Sequence, residues 1–155
     1  GDGLWAVAEL RGRMHDSSRV LTPHDGEYTQ LTGNPPGADR VAAARRLAAE
    51  RSCVVVLKGP TTIVADARGR VRMVVSGDER LASAGTGDVL SGMIGAMLAA
   101  GADPFDAAAA AAHVHGLAGR RLPPVGASAS LLPSEVSGVL STLTSARPRP
   151  SIEAQ

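Results

Sequence analysis

Apolar and polar positions follow distinct rhythms along this chain, and each rhythm predicts an element. Residues 53–57 (Cys-Val-Val-Val-Leu) form an unbroken apolar, largely β-branched run. Such a run predicts a strand buried on both faces, as in a parallel sheet covered by helices. Residues 62–65 and 70–75 are further strand candidates, and Asp66-Ala67-Arg68-Gly69 between them predicts a hairpin. Arg19-Val20-Leu21 is a short strand candidate that ends at Thr22-Pro23.

Helical patterns fill the intervals. Residues 24–32 predict a short helix closed by Gly33 and the turn Asn34-Pro35-Pro36-Gly37. Asp39 predicts the cap of a helix running to about Arg51, with Val41, Ala44, Leu47 and Ala48 on one face. Gly85-Thr86-Gly87-Asp88 opens a long apolar helix to about Ala100, stopped by Gly101. Asp103-Pro104 gives a cap and a proline at the first position of a helix reaching about Gly119. A last helix starts near Pro133-Ser134-Glu135. At the ends, residues 4–8 carry a helical pattern with no strand before it, and residues 147–155 predict a disordered tail. Strands alternating with helices, plus a hairpin, predict an α/β sandwich with a mostly parallel sheet, one domain over residues 1–146.

Composition narrows the function classes. The 155 residues suit a single domain, and 44% hydrophobic residues suffice for one core. A formal net charge of +1 gives no electrostatic footprint for nucleic acid. Only Trp5, Tyr28 and Phe105 are aromatic, which argues against stacking platforms for single strands. No apolar stretch is long enough to span a bilayer. Cys53 stands alone, so no intrachain disulfide forms, and a reducing, cytoplasmic setting is expected. His113 and His115 lie two apart on a helix and face different ways, so they are expected to pack or sit on the surface rather than bind metal; no metal cluster is predicted. His15 lies among arginines and is uninformative. Lys58 is the one lysine in a chain that otherwise uses arginine, which singles out its position.

Three segments carry candidate chemistry. In Ala84-Gly85-Thr86-Gly87-Asp88, glycines lead straight into a helix. The open N–H groups of a helix start, together with its positive partial charge, make an anion site. Asp88 in the first turn is placed to act as a general base on a bound hydroxyl. Alone, the same pattern more often describes a tight turn whose aspartate caps the helix; its neighbours change that weighting. Lys58-Gly59-Pro60-Thr61-Thr62 follows the buried strand, at the edge where open α/β sheets bind ligands, and suits a nucleotide phosphate. The plainer reading is a solvated lysine before an ordinary turn. Leu21-Thr22-Pro23-His24-Asp25-Gly26-Glu27 also follows a strand. There His24 can donate to a substrate carbonyl or phosphate. Asp25 and Glu27 either approach a metal-bound phosphate or simply begin the next helix, where negative charge is favourable. Three strand-end loops with this chemistry predict one cleft.

The residues also resemble a family. Gly85-Thr-Gly-Asp88 is similar to the anion-hole motif of the ribokinase superfamily. Leu21-Thr-Pro-His-Asp-Gly-Glu27, Val56-Leu-Lys-Gly-Pro-Thr-Thr62, residues 84–95 and His115-Gly-Leu-Ala-Gly119 together resemble the dehydratase domain of NAD(P)H-hydrate repair enzymes, over roughly residues 2–145. The Thr-Pro-His-x-Gly-Glu segment discriminates most, because related vitamin kinases usually carry Asn in place of the His. The resemblance implies a ribokinase-like three-layer α/β/α sandwich. It implies an ADP-dependent hydro-lyase that returns hydrated NAD(P)H to NAD(P)H, releasing AMP and phosphate, with Mg²⁺ present. It assigns nucleotide contacts to Lys58, Gly59, Pro60, Thr61, Thr62 and Gly87, the anion hole to Gly85, Thr86 and Gly87, and substrate contacts to His24 and Asp88, with Asp88 catalytic. It also implies a homo-oligomer, a tetramer in the family.

Two departures accompany it. Where the family usually shows Gly-Asn-x-x-Met, this chain reads Gly77-Asp78-Glu79-Arg80-Leu81. Members also carry about as much chain again upstream, supplying the first sheet strands and part of the hydrated-cofactor pocket. The chain is therefore expected to lack the N-terminal half of the domain. Two other readings stand beside the dehydratase: a sugar or vitamin-alcohol kinase sharing Asp88 and the anion hole, and a truncated module that binds nucleotide without catalysis.

Overall fold

The computed structural model describes residues 19–146. The patterns at residues 4–8, His15 and the tail at residues 147–155 lie outside them.

A four-stranded sheet forms the middle layer, in the order β1 (Val20–Leu21), β2 (Val54–Leu57), β3 (Thr62–Ala65), β4 (Val71–Val74). β1 and β2 pair in parallel, Val20 opposite Val54, with an intervening crossover. β2, β3 and β4 then meander antiparallel, Leu57 opposite Ile63 and Thr62 opposite Val74. Among the described residues the parallel pairing expected for the sheet is thus confined to β1 and β2. The reason is connection length: residues 58–61 and 66–70 are too few for the crossover that parallel neighbours require.

Helices α1 (Asp25–Thr32) and α2 (Arg40–Arg51) cover one face of the sheet. Their Tyr28, Leu31, Ala44 and Leu47 pack with Leu21, Val55, Leu57 and Ile63. Helices α3 (Thr86–Ala99) and α4 (Pro104–Gly119) cover the other, where Leu90, Ile94, Phe105 and Ala108 meet Val54, Val56 and Val64. The alternation along β2 therefore feeds two cores, which is why a run of apolar residues with no polar break is the right sequence for it. Val55, Val56 and Leu57 have no exposed surface, and each contributes about 1.5–3 kcal/mol of burial. Helix α5 (Leu132–Ser145) lies outside α4, packing Leu132, Val136 and Val139 on Val114 and Ala118.

The predicted caps are present. Asp39 accepts from Ala42 N–H at the start of α2, and Asp103 accepts from Phe105 and Asp106 N–H before Pro104. Cys53 is a buried core thiol, pushed up to about 11 by its burial.

Candidate active site

All three chemically suggestive loops open on one cleft of about 1040 Å³ beyond the strand ends. This is large enough for more than one small ligand. His24, Asp25, Lys58, Gly59, Pro60, Thr62, Gly85, Thr86, Gly87 and Asp88 line it. Thr61 and the candidate carboxylate Glu27 do not.

The anion-hole segment is shaped by what precedes it. Gly85 takes φ 88°, the left-handed region that glycine tolerates, and caps α3 with no side-chain bond. The Thr86 N–H reaches Ser83 O only at 3.5 Å. Thr86 itself turns inward: its hydroxyl donates to Leu81 O at 2.7 Å and Ser83 O at 2.9 Å. Its side chain therefore braces the loop, and only its backbone is available to an anion. From behind, buried His115 places Nε2 2.8 Å from Thr86 O. Burial, reinforced by the Lys58 ammonium, pushes this imidazole below the usual histidine value despite the Thr86 carbonyl, so it is neutral at physiological pH and donates from Nε2.

The loop before α3 is held by glycines on α4. A Cβ on Gly116 would lie 2.7 Å from Gly77 N, and one on Gly119 would lie 2.5 Å from Leu81 Cγ. Ser76 Oγ donates to His113 O at 3.0 Å. Asp78 caps the 3-10 turn Glu79–Ala82, accepting from Arg80 N–H at 3.0 Å, and lines the cleft where the family usually has Asn.

Opposite, Lys58 leaves the end of β2 and points its ammonium at α3, 3.2 Å from where a Cβ on Gly87 would stand. Its other neighbour is Glu27 Oε2 at 3.4 Å. Glu27 forms a capping box with His24: Oε2 accepts from His24 N–H at 2.8 Å. Burial works against the Glu27 charge, but hydrogen bonds, the His24 amide among them, and the Lys58 ammonium outweigh it and hold the carboxyl at about 2. His24 Nδ1 accepts from Gly26 and Glu27 N–H at 3.0 and 3.3 Å, which leaves the ring proton on Nε2 in an imidazole that is 59% exposed. Asp88 is exposed, and its carboxylate has no hydrogen-bond or ion-pair partner among the described residues.

Two positions escaped the sequence reading. Arg40 binds Asp25 and the Lys58 carbonyl, although no motif contains it. His115 was expected to pack, and it does, but against the anion-hole backbone; its place next to Gly116 was the available signal.

A profile of the NAD(P)H-hydrate dehydratase family matches residues 1–141. The chain belongs to that family. The bifunctional NAD(P)H-hydrate repair enzyme Nnr of Mycobacterium tuberculosis H37Rv is 48% identical over 112 residues, covering 70% of this chain and 23% of that protein. The ADP-dependent (S)-NAD(P)H-hydrate dehydratase of Cenarchaeum symbiosum is 40% identical over 116 residues, 73% of this chain and 40% of that one. Among solved structures, the ADP/ATP-dependent NAD(P)H-hydrate dehydratase of Bacillus subtilis, co-crystallised with ATP/Mg²⁺, superposes with a TM-score of 0.74 at 33% identity, over 79% of this chain and 47% of that one. A protein from Streptococcus mutans with a TM-score of 0.80 but 23% identity shares the fold. The three-layer ribokinase-like architecture is therefore that of the family, and the chain spans less than half the length of these family relatives. Among the described residues no helix is long and apolar enough to cross a membrane.

Proposed function

We propose that the cleft carries out the ADP-dependent dehydration of NAD(P)H-hydrate, returning NAD(P)H, AMP and phosphate. One observation carries the reading: the unpartnered Asp88 carboxylate stands at the open start of α3, with the Lys58 ammonium beside Gly87 and His24 on the same cleft. A polyphosphate seated on the Gly85–Gly87 amides meets the Lys58 charge and the helix dipole together. Thr62, Pro60 and Gly59 form the rim that leads the nucleotide in.

Asp88 takes the proton of the ring hydroxyl as that oxygen attacks the terminal phosphorus of ADP. The bond to the bridging oxygen breaks and AMP leaves. The amides of the anion hole hold the charge of the transferring phosphoryl group. The C–O bond then breaks with its electron pair going to phosphate, a better leaving group than hydroxide, and loss of the neighbouring ring proton restores the dihydronicotinamide. His24, with its proton on Nε2, donates to the hydrated cofactor. Among the described residues no three metal-ligating side chains gather. Mg²⁺ fits here as an ion carried by phosphate oxygens and water, neutralising polyphosphate charge, with no dedicated protein cage.

Mixing the chain with hydrated NADH and ADP and following NADH absorbance tests the proposal. Absorbance should return as AMP accumulates. Phosphorylation of an alcohol from ATP with no NADH formed would transfer the site to the kinases. ADP bound without turnover would leave a nucleotide-binding module.

A further inference from the structure

Arg40 occupies a position that local rules disfavour. It is the first residue of α2, where the helix dipole is positive and a cation is repelled. A residue that breaks a local rule is expected to have a reason elsewhere. Here the side chain leaves its own helix and spans two strand-end loops. Nη1 donates to both carboxylate oxygens of Asp25 at 2.8 Å each. Nη2 donates to the Lys58 carbonyl at 2.8 Å. Asp25 adjoins His24, and Lys58 N–H in turn donates to Pro23 O at 2.8 Å, so the two loops are joined on both sides of the arginine.

Two further details show that the guanidinium is fitted into this place. A Cβ on Gly59 would stand 2.5 Å from Nη2, so the loop lies on the guanidinium only because residue 59 has no side chain. Arg40 Nε is buried with no partner, a cost accepted for the sake of the other contacts. Lysine has a single point charge and cannot hold the Asp25 carboxylate and the Lys58 carbonyl in this planar arrangement.

We propose that Arg40 is a positioning residue that sets the separation between the His24 loop and the Lys58 loop, and through it the distance between hydrated cofactor and nucleotide. The inference rests on the proposed use of this cleft. Arg40 touches neither ligand; it acts through the backbone of Lys58 and the carboxylate of Asp25.

The experiment compares the chain with its Arg40→Lys and Asp25→Asn variants. Amide exchange of Lys58 is measured without ligand, and ADP and ATP affinity by calorimetry. In Arg40→Lys, exchange at Lys58 should quicken and nucleotide affinity fall, each about tenfold, while the unfolding midpoint moves little. Asp25→Asn should leave the Lys58 carbonyl bond in place and lose less affinity. Where turnover is measured, KM for the nucleotide should rise in Arg40→Lys and kcat should fall as well, because the two reactants are no longer held at the same separation. Lys58 exchange unchanged in Arg40→Lys would overturn the proposal, as would unchanged affinity. If the unaltered chain binds neither nucleotide, the proposed function fails instead, and Lys58 exchange alone decides whether Arg40 links the loops.

Discussion

Lys58 Nζ stands 3.2 Å from the point a Cβ on Gly87 would occupy, so the ammonium and the open first turn of α3 share one small volume. Two positive features this close favour an anion between them. Gly87→Ala should push the ammonium aside and narrow the phosphate seat. Alanine suits a helix better than glycine, so the unfolding midpoint should hold or rise slightly. Nucleotide affinity, measured by calorimetry, should fall about tenfold, on the order of 1.4 kcal/mol. Unaltered affinity would mean that the phosphate sits elsewhere.

Asp88 is exposed and makes no side-chain bond that the fold depends on. Asp88→Asn should therefore fold with an unchanged circular dichroism spectrum and bind nucleotide at least as well, since one negative charge leaves the anion site. Turnover of hydrated NADH should drop by about 10²–10⁴, the usual share of a general base. A variant with full turnover would remove Asp88 from the proton transfer.

Glycines on neighbouring helices should respond in opposite directions to the same change. A Cβ on Gly116 meets backbone, Gly77 N at 2.7 Å, whereas one on Gly95 meets nothing within 4 Å. Gly116→Ala must displace the segment that leads into the anion hole, and overpacking of this kind costs about 1–3 kcal/mol. Gly95→Ala should instead stabilise α3 by about 0.5–1 kcal/mol. Denaturant unfolding of the pair checks both signs. Nucleotide affinity should fall with Gly116→Ala alone.

The elements of this fold were legible because their signals are local. The apolar run at residues 53–57, the Asp39 and Asp103 caps and the glycine punctuation each act within a few residues, and the structure follows them closely. The cleft was legible for the same reason: every strand-end loop announces its chemistry in adjacent residues. The strand directions were harder to read. Hairpin chemistry marked β3 and β4, but the residue 58–61 link, taken as a ligand loop, also forces β2 and β3 antiparallel. Arg40 and His115 act across 18 and 29 residues of sequence, on Lys58 O and Thr86 O. A contact to a backbone carbonyl leaves no trace in the identity of its partner, so nothing in the chain announced Arg40, and only the neighbouring Gly116 hinted at His115. Thr86 was grouped with the anion hole by its neighbours, yet its hydroxyl is already committed to Leu81 and Ser83.

Glu27 supplies a pH dependence whose sign follows from its surroundings. Its carboxyl is held at about 2 in the folded chain against 4.5 for an ordinary glutamate. Between those values the unfolded chain binds more protons than the folded one, so stability falls as pH drops through that window. Above 4.5 the contribution is complete. With part of the interaction screened by solvent, it amounts to roughly 1–2 kcal/mol. Glu27→Gln loses the charge that faces Lys58 and weakens the box that fixes His24. At neutral pH the variant should therefore be less stable by about that amount, and the gap should close as acid protonates the parent carboxylate. Urea unfolding of both chains at neutral pH and near pH 2–3 measures the gap directly, since it compares the same pair under both conditions. A constant gap would show that the Glu27 charge contributes nothing measurable and that the residue acts through packing alone.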